Sequence, residues 1–131
     1  MENLRITATE RSPEVDFDFA AGRLRLKGES YPEDASAVFG PIFAALESFL
    51  ASAPQGREVL FEFDLTYFNS SSAKALMNMF QVLDHAASGG RTITVNWFFA
   101  PDDDTMKEFG EDFSEDLEHV AFNLVAVEPA D

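Results

Sequence analysis

The chain has 131 residues, of which 24 are acidic and 9 are basic, so its formal net charge is −15. This length fits a single domain, and 14 Phe in a composition that is 46% hydrophobic provide for a sizeable core, which argues against intrinsic disorder. The acidic balance disfavours nucleic acid and anionic lipid as main partners, since both attract Lys and Arg, and the lack of Cys excludes disulfides, thiol nucleophiles and thiolate metal sites.

The first thirty residues show three short stretches in which apolar and polar side chains alternate. They predict half-buried strands over residues 4–9, 15–19 and 23–27. The links between them are too short for a parallel crossover, so we expect them to pair antiparallel. A helix is predicted next over residues 36–53, because apolar side chains recur there at helical spacing, and Pro54 to Gly56 is predicted to close it.

The rest of the chain alternates strands and helices. The prediction is a strand over residues 58–65, a helix over 70–87 that ends at Gly89-Gly90, a strand over 92–97 that ends at Trp97, a helix over 105–117 and a strand over 121–127. Each strand–helix–strand step is a βαβ unit, which implies parallel pairing. We therefore predict one α/β domain over residues 1–131. Its mixed sheet has an antiparallel N-terminal part and βαβ crossovers, with about three helices packed on it.

Most of the charge lies at one end of the chain. Residues 101–131 carry eleven acids and one base, a net charge of −10, whereas residues 58–100 carry only −2.

The N-terminus shows no signal-peptide pattern, because it lacks a basic start followed by an apolar run. No stretch is expected to reach the roughly 18 apolar residues of a membrane helix. We therefore expect a cytoplasmic protein without membrane insertion.

Four polar residues, Asn69-Ser70-Ser71-Ser72, open the second predicted helix directly after a buried strand. In one interpretation Asn69 or Ser70 only caps the helix, since Asn and Ser oxygens accept from the first unpaired backbone N–H groups. In the other, a hydroxyl here is a phosphorylation site. A helix N-terminus has free N–H donors and the positive end of the dipole, and three hydroxyls are more than a cap needs. Ala73 rather than Glu follows Ser70 by three residues, so the segment is not a capping box.

The same segment resembles the phosphorylation loop of STAS-type anti-sigma-factor antagonists, in which Asp-Ser-Ser-Gly begins a helix after a strand. Ser70 matches the first Ser of that pattern, whereas Asn69 replaces the Asp and Ser72 replaces the Gly. A closer resemblance, over nearly the whole chain, is to the SiaC family of bacterial regulatory phosphoproteins. It rests on three motifs in order: Gly28-Glu29-Ser30-Tyr31-Pro32-Glu33, Tyr67-Phe68-Asn69-Ser70-Ser71-Ser72 and Val95-Asn96-Trp97.

This resemblance implies a non-enzymatic switch that needs no cofactor. In the family a dedicated kinase phosphorylates the hydroxyl that matches Ser70, and a PP2C-type phosphatase removes the phosphate. The dephosphorylated protein binds and activates a diguanylate cyclase, which raises cyclic-di-GMP and favours biofilm or aggregation. Tyr67, Phe68, Asn69, Ser71 and Ser72 are the accompanying candidates for the phosphorylation loop and the partner surface. The chain departs from the family pattern in having Ser rather than Thr at the acceptor, and Phe99-Ala100 where Tyr-Asp is expected.

Two alternatives use other residues. The acids of residues 102–118 suggest a small metal-binding protein or enzyme, but the EF-hand spacing and its central Gly are absent, and Asp102 to Asp104 are explained as caps of the third helix. His85 and His119 stand alone without Cys, so neither is predicted to be catalytic or metal-binding; His85 suits a helix C-terminus. An adaptor that binds its partner without phosphate control is the third possibility.

Overall fold

The structure is a computed structural model that describes residues 2–53 and 56–128. It contains six strands and three helices in the following order: β1 (Leu4–Ile6), β2 (Glu14–Asp18), β3 (Arg23–Ser30), α1 (Ala35–Ser52), β4 (Val59–Phe68), α2 (Ser70–Ser88), β5 (Ile93–Phe99), α3 (Asp104–Ser114) and β6 (Ala121–Ala126). The α/β prediction is confirmed. The closure predicted for the first helix falls partly on Pro54 and Gln55, which lie outside the described residues.

The six strands form one sheet in the order of the chain, β1-β2-β3-β4-β5-β6. β1, β2 and β3 pair antiparallel, whereas β3, β4, β5 and β6 pair parallel, as predicted. Each helix crosses from one parallel strand to its immediate neighbour, and all three crossovers advance in the same direction. Because βαβ crossovers are right-handed, such an arrangement places all the helices on one face of the sheet.

The burial pattern of the strands agrees with this one-sided arrangement. On the helical face the side chains are buried, among them Phe17, Leu24 and Phe61, each 0% exposed. On the opposite face ion pairs cross the strands, for example Arg23–Glu62 at 3.6 Å and Arg25–Asp64 at 3.4 Å, and the remaining exposure of these side chains keeps each pair weak. The core therefore lies entirely between the sheet and its three helices.

The fourth strand runs three residues beyond its predicted end at Leu65 because it contains a bulge. Gly28 of β3 pairs with Leu65 and Glu29 pairs with Tyr67, so Thr66 is an extra residue in β4. The bulge reverses the alternation. Leu65 and Phe68, three residues apart, both face the core, and Tyr67 faces outward. A prediction that relies on strict alternation of apolar and polar side chains therefore ends the strand at this point.

Two further sequence expectations need correction. Trp97 does not end its strand, since β5 continues to Phe99, although its side chain is buried under a helix as predicted. α1 also passes the length and composition test for a membrane span, with a mean hydropathy of 1.4, contrary to the expectation that no stretch would approach it. It is nevertheless the crossover helix between β3 and β4, and it contributes Ile42 and Leu46, both 0% exposed, to the core.

A carboxylate on α2 holds the loop that precedes the last strand. Oδ1 of Asp84 accepts hydrogen bonds from the backbone N–H groups of Glu118 (3.1 Å), His119 (2.8 Å) and Val120 (3.1 Å). Desolvation by the surrounding chain raises the pKa of Asp84, but the three backbone donors together with the charge of His119 outweigh it and leave the pKa below its ordinary value of 3.8. This contact ties the C-terminal half of α2 to the start of β6.

Asp84 should make stability depend on pH. Because its pKa is lower in the folded state, its charge contributes stability that is fully present above the ordinary value of 3.8 and is lost as pH falls through the folded-state pKa. Asp84→Asn, which keeps an acceptor oxygen, is expected to lower the urea midpoint at pH 7 and to differ less from the wild type near pH 3. Glu10→Gln, which changes an exposed acid in the connection between β1 and β2, is the control. An equal deficit at both pH values would contradict a contribution from the charge.

Candidate phosphorylation site

The site lies where β3 and β4 end next to each other. Glu29 and Ser30 are the register partners of Tyr67 and Phe68, so the ladder brings together two motifs that are about forty residues apart in the chain. The backbone N–H of Asn69 donates to the carbonyl oxygen of Ser30 at 3.0 Å and continues this pairing into the loop. The start of α2 is therefore placed by the end of β3.

Asn69 is the N-cap of α2. Its side-chain Oδ1 accepts a hydrogen bond of 2.9 Å from the backbone N–H of Ser72, the geometry expected of a capping Asn. The capping interpretation is thus confirmed for Asn69 and not needed for Ser70. Ser70 and Ser71 are both exposed at the first turn of the helix.

The third hydroxyl of the segment has a structural role. Ser72 is 0% exposed and Ser30 is 1% exposed, and their Oγ atoms share a hydrogen bond of 2.7 Å. A buried hydroxyl without a partner would cost free energy, so each of these side chains depends on the other. Ser72 was a candidate for the loop or partner surface; its burial places its side chain inside the domain.

Tyr67 and Phe68, the two aromatic candidates for the partner surface, lie on opposite sides of β4. Tyr67 is 51% exposed and meets the ring of Tyr31 edge-on at 5.8 Å. Phe68 is only 6% exposed, and its ring lies 4.7 Å from that of Phe109 and 6.0 Å from that of Trp97. The bulge at Thr66 is the reason for the difference. Of the two rings, only that of Tyr67 reaches solvent.

The two exposed hydroxyls differ in their surroundings. Ser71 lines a groove of about 510 Å³ between α1 and α2, together with Glu33 and Lys74. Ser70 precedes Ala73 by three residues and Met77 by seven, so it shares a stripe with two residues that line a second groove, between α2 and α3. The second groove was not foreseen from the sequence. Its only sequence signal is Met77, a large apolar residue on the side of α2 away from the core stripe.

The acids of residues 102–118 have structural explanations. Asp103 is the N-cap of α3, and its Oδ1 accepts from the backbone N–H of Met106 at 3.0 Å, which confirms the capping interpretation. Asp104 follows in the first turn, where the helix dipole favours an acid. Among residues 2–53 and 56–128, no three His, Asp or Glu side chains are grouped to hold a metal ion. His85 lies in the last turn of α2, as predicted.

Comparison with known proteins gives one consistent result. The sequence model of the SiaC family regulatory phosphoprotein matches residues 6–127. An uncharacterized protein of Pseudomonas aeruginosa (strain UCBPP-PA14), PA14_02130, is 35% identical over 116 residues, which are 88% of this chain and 90% of that protein.

Two solved structures agree with the fold. The crystal structure of apo-SiaC from Pseudomonas aeruginosa has a TM-score of 0.87 and 35% sequence identity, and the match covers 96% of this chain and 100% of that one. SiaC in the crystal structure of the diguanylate cyclase SiaD in complex with its activator SiaC, from the same species, has a TM-score of 0.89 and 34% identity. That match covers 95% of this chain and 99% of the other.

Proposed function

The chain belongs to the SiaC family of regulatory phosphoproteins, and we propose that it is a non-enzymatic, cytoplasmic partner switch controlled by phosphorylation of Ser70. The observation that carries the proposal is that the polar residues at the start of α2 have different structural roles. Asn69 caps the helix and Ser72 is buried against Ser30, so the exposed hydroxyl of Ser70 serves neither purpose. A kinase can reach it without unfolding the helix.

The chemistry of this position suits a reversible phosphate. A phosphoserine adds about −1.5 to −2 charge and three acceptor oxygens, and a helix N-terminus compensates part of that charge through its dipole and free N–H groups. The segment of residues 58–100 has a net charge of only −2, so one phosphate changes the local charge substantially. The modification therefore acts locally and leaves the helix in place.

The partner binds the unmodified protein in this proposal. SiaC of Pseudomonas aeruginosa is the activator of the diguanylate cyclase SiaD, and we propose that this chain likewise activates a diguanylate cyclase and so promotes cyclic-di-GMP signalling and biofilm formation. Tyr67 and the start of α2 would contact the partner. A phosphate on Ser70 would have to lose its hydration water beneath that partner. This desolvation costs free energy, so the partner would dissociate from the phosphorylated protein. A protein kinase and a PP2C-type phosphatase would set the phosphorylated fraction.

Intact mass spectrometry of the protein from its native host tests this proposal. We expect a species about 80 Da heavier than the unmodified chain, removed by phosphatase and absent from Ser70→Ala. Ser71→Ala, which removes the neighbouring exposed hydroxyl, is the matched control and should keep the heavier species. Stoichiometric phosphorylation of the Ser70→Ala variant would show that a residue other than Ser70 is the phosphorylation site. A partner that binds a protein never phosphorylated in any growth condition would identify a phosphate-independent adaptor instead.

A further inference from the structure

The last strand, β6, forms one edge of the sheet. β6 pairs with β5 on one side, and within the part of the chain that the structure describes no strand pairs with its other side. A free edge of this kind presents backbone N–H and C=O groups that another strand can bind. We refer to the outer side of residues 121–126 as the β6 edge.

The direction of one hydrogen bond shows which backbone groups point outward. The N–H of Val127 donates to the carbonyl oxygen of Phe99 of β5 at 2.8 Å. Backbone groups of successive strand residues point to opposite sides of the strand. The N–H and C=O groups of Phe122, Leu124 and Ala126 therefore point away from β5, toward the β6 edge.

β6 lacks the features by which edge strands usually prevent further pairing. At the opposite edge of the sheet, β1 is only three residues long and contains Arg5. β6 has six residues, without a charge or a proline among them, and its register with β5 is continuous. Leu124 is 38% exposed, and Val127, just after the strand, is 43% exposed. The edge thus combines unpaired backbone groups with exposed apolar side chains.

The charges around the β6 edge are acidic, although the edge itself has none. Glu118 precedes the strand and Glu128 follows it, and both are exposed. A Cβ added to Gly110 of α3 would lie 2.5 Å from Cδ2 of Leu124, so α3 lies directly on β6. Residues 104–116, which form this helix and its C-terminal end, carry six acids and one base. A strand added to β6 would therefore meet carboxylates at both of its ends and along α3.

This charge distribution disfavours a second copy of the chain as the occupant. An antiparallel pair of β6 strands from two copies would bring Glu118 of one copy near Glu128 of the other and place two acidic α3 helices side by side. Like charges in such positions oppose pairing. Lys or Arg at the ends of an otherwise uncharged strand would be attracted instead.

We infer that the β6 edge binds an extended segment of another protein, with an uncharged centre and Lys or Arg at both ends. Its backbone pairs with the three N–H and three C=O groups of Phe122, Leu124 and Ala126, which provide the affinity. An apolar side chain of the segment packs against Leu124, and its terminal cations pair with Glu118 and Glu128. The inference goes beyond the proposed function and does not depend on phosphorylation of Ser70.

Hydrogen exchange of the ¹⁵N-labelled full chain, measured residue by residue, tests this inference. The probe is the synthetic peptide Lys-Lys-Val-Thr-Val-Thr-Val-Lys-Lys, and the comparison peptide has Glu in place of every Lys. At about 1 mM Lys peptide, we expect exchange at Phe122, Leu124 and Ala126 to slow at least about tenfold, because their N–H groups become hydrogen-bonded. Asn123 and Val125, whose N–H groups point to β5, should slow less.

The comparison peptide tests the charge requirement. We expect the Glu peptide to bind at least about tenfold more weakly than the Lys peptide, because attraction at both ends of the strand becomes repulsion. Glu118→Lys/Glu128→Lys should remove this preference. Glu10→Lys/Glu47→Lys, which changes the net charge equally at exposed positions outside β6 and α3, should keep it.

A proline at an outward-facing position tests the backbone pairing. Ala126→Pro removes an N–H group that points away from β5 and is expected to abolish the protection by the Lys peptide. Ala126→Val keeps this N–H group and is the matched control, so it should bind like the wild type. Unchanged melting temperatures establish that the variants fold; if Ala126→Pro does not fold, the charge variants decide the test.

Three results would overturn the inference. The first is unchanged exchange at Phe122, Leu124 and Ala126 in the presence of the Lys peptide, or protection confined to other elements. The second is a folded Ala126→Pro variant, or the Glu118→Lys/Glu128→Lys variant, that behaves like its control. The third is exchange at the β6 edge that slows as the concentration of the protein alone is raised, which would identify a second copy of the chain as the occupant.

Discussion

Phe68→Ala is expected to lower the free energy of unfolding by about 3–5 kcal/mol, the range observed when a buried Phe is truncated. The ring is 6% exposed and lies against Trp97, Phe109 and Phe113, so its removal leaves a cavity between the sheet and α3. Urea unfolding followed by the fluorescence of Trp97 measures the change directly. Because Phe68 immediately precedes the helix cap, we also expect faster amide exchange at the start of α2.

Tyr67→Ala is the matched control, since the two residues are neighbours in the same strand. Tyr67 is 51% exposed and meets only the ring of Tyr31 edge-on, so its truncation should lower the free energy of unfolding by only about 1 kcal/mol. Its effect should appear instead in the affinity for the partner. A large loss of stability in Tyr67→Ala, or a small one in Phe68→Ala, would contradict the outward and inward placement of the two rings that the bulge produces.

Ser30→Ala and Ser72→Ala are each expected to lower the free energy of unfolding by about 1–3 kcal/mol. Both hydroxyls are buried and share one hydrogen bond of 2.7 Å, so removing either leaves the other without a partner in an apolar environment. The double variant Ser30→Ala/Ser72→Ala should cost clearly less than the sum of the single changes, because no buried hydroxyl then remains unpaired. A double-mutant cycle in urea measures this coupling.

Ser71→Ala is the matched control for this double-mutant cycle. Ser71→Ala, an exposed neighbour, should leave stability within about 0.5 kcal/mol of the wild type. Additive losses in the double variant would show that Ser30 and Ser72 do not depend on each other. A strong coupling would mean that the hydrogen bond between Ser30 and Ser72 holds the end of β3 to the start of α2. Mutations in the motif of residues 28–33 would then also change the position of Ser70.

Much of this architecture was predictable because it depends on residues close in sequence. The core stripe of α2, with Leu76, Met79, Phe80, Leu83 and Ala87, follows helical spacing, and all five are buried. The caps of α2 and α3 were predicted from Asn and Asp standing before apolar periodic segments. Short links predicted antiparallel pairing at the start, and long crossovers predicted parallel pairing afterwards.

The errors in the prediction have two separate causes. The end of β4 was misplaced because a bulge opposite Gly28, a property of the pairing between two strands, reverses the alternation that the prediction relied on. Phe68 was consequently taken as a surface candidate together with Tyr67. α1 was not recognised as long and apolar enough for a membrane span, because Pro41 and scattered Ser and Gly interrupt its apolar run without lowering the mean hydropathy below 1.4.

Only the fold shows where the acidic side chains of the last quarter of the chain lie. From the sequence, eleven acids after residue 100 indicated a solvated surface. In the fold, Asp103 caps α3, while Asp112 and Asp116 stand beside an apolar groove that α2 completes. Neither helix alone has the groove, because its floor and its two walls come from segments some thirty residues apart.

The sequence by itself determined the order and type of the elements, the caps of α2 and α3 and the motifs of the SiaC family, because each depends on spacing within a few residues or on the order of short motifs. Only the tertiary structure decided which of Tyr67 and Phe68 reaches solvent, that Ser72 is paired with Ser30, and that an acid-rimmed groove lies between α2 and α3. These features depend on strand register and helix packing, which bring together residues that the local periodicity of the chain does not relate.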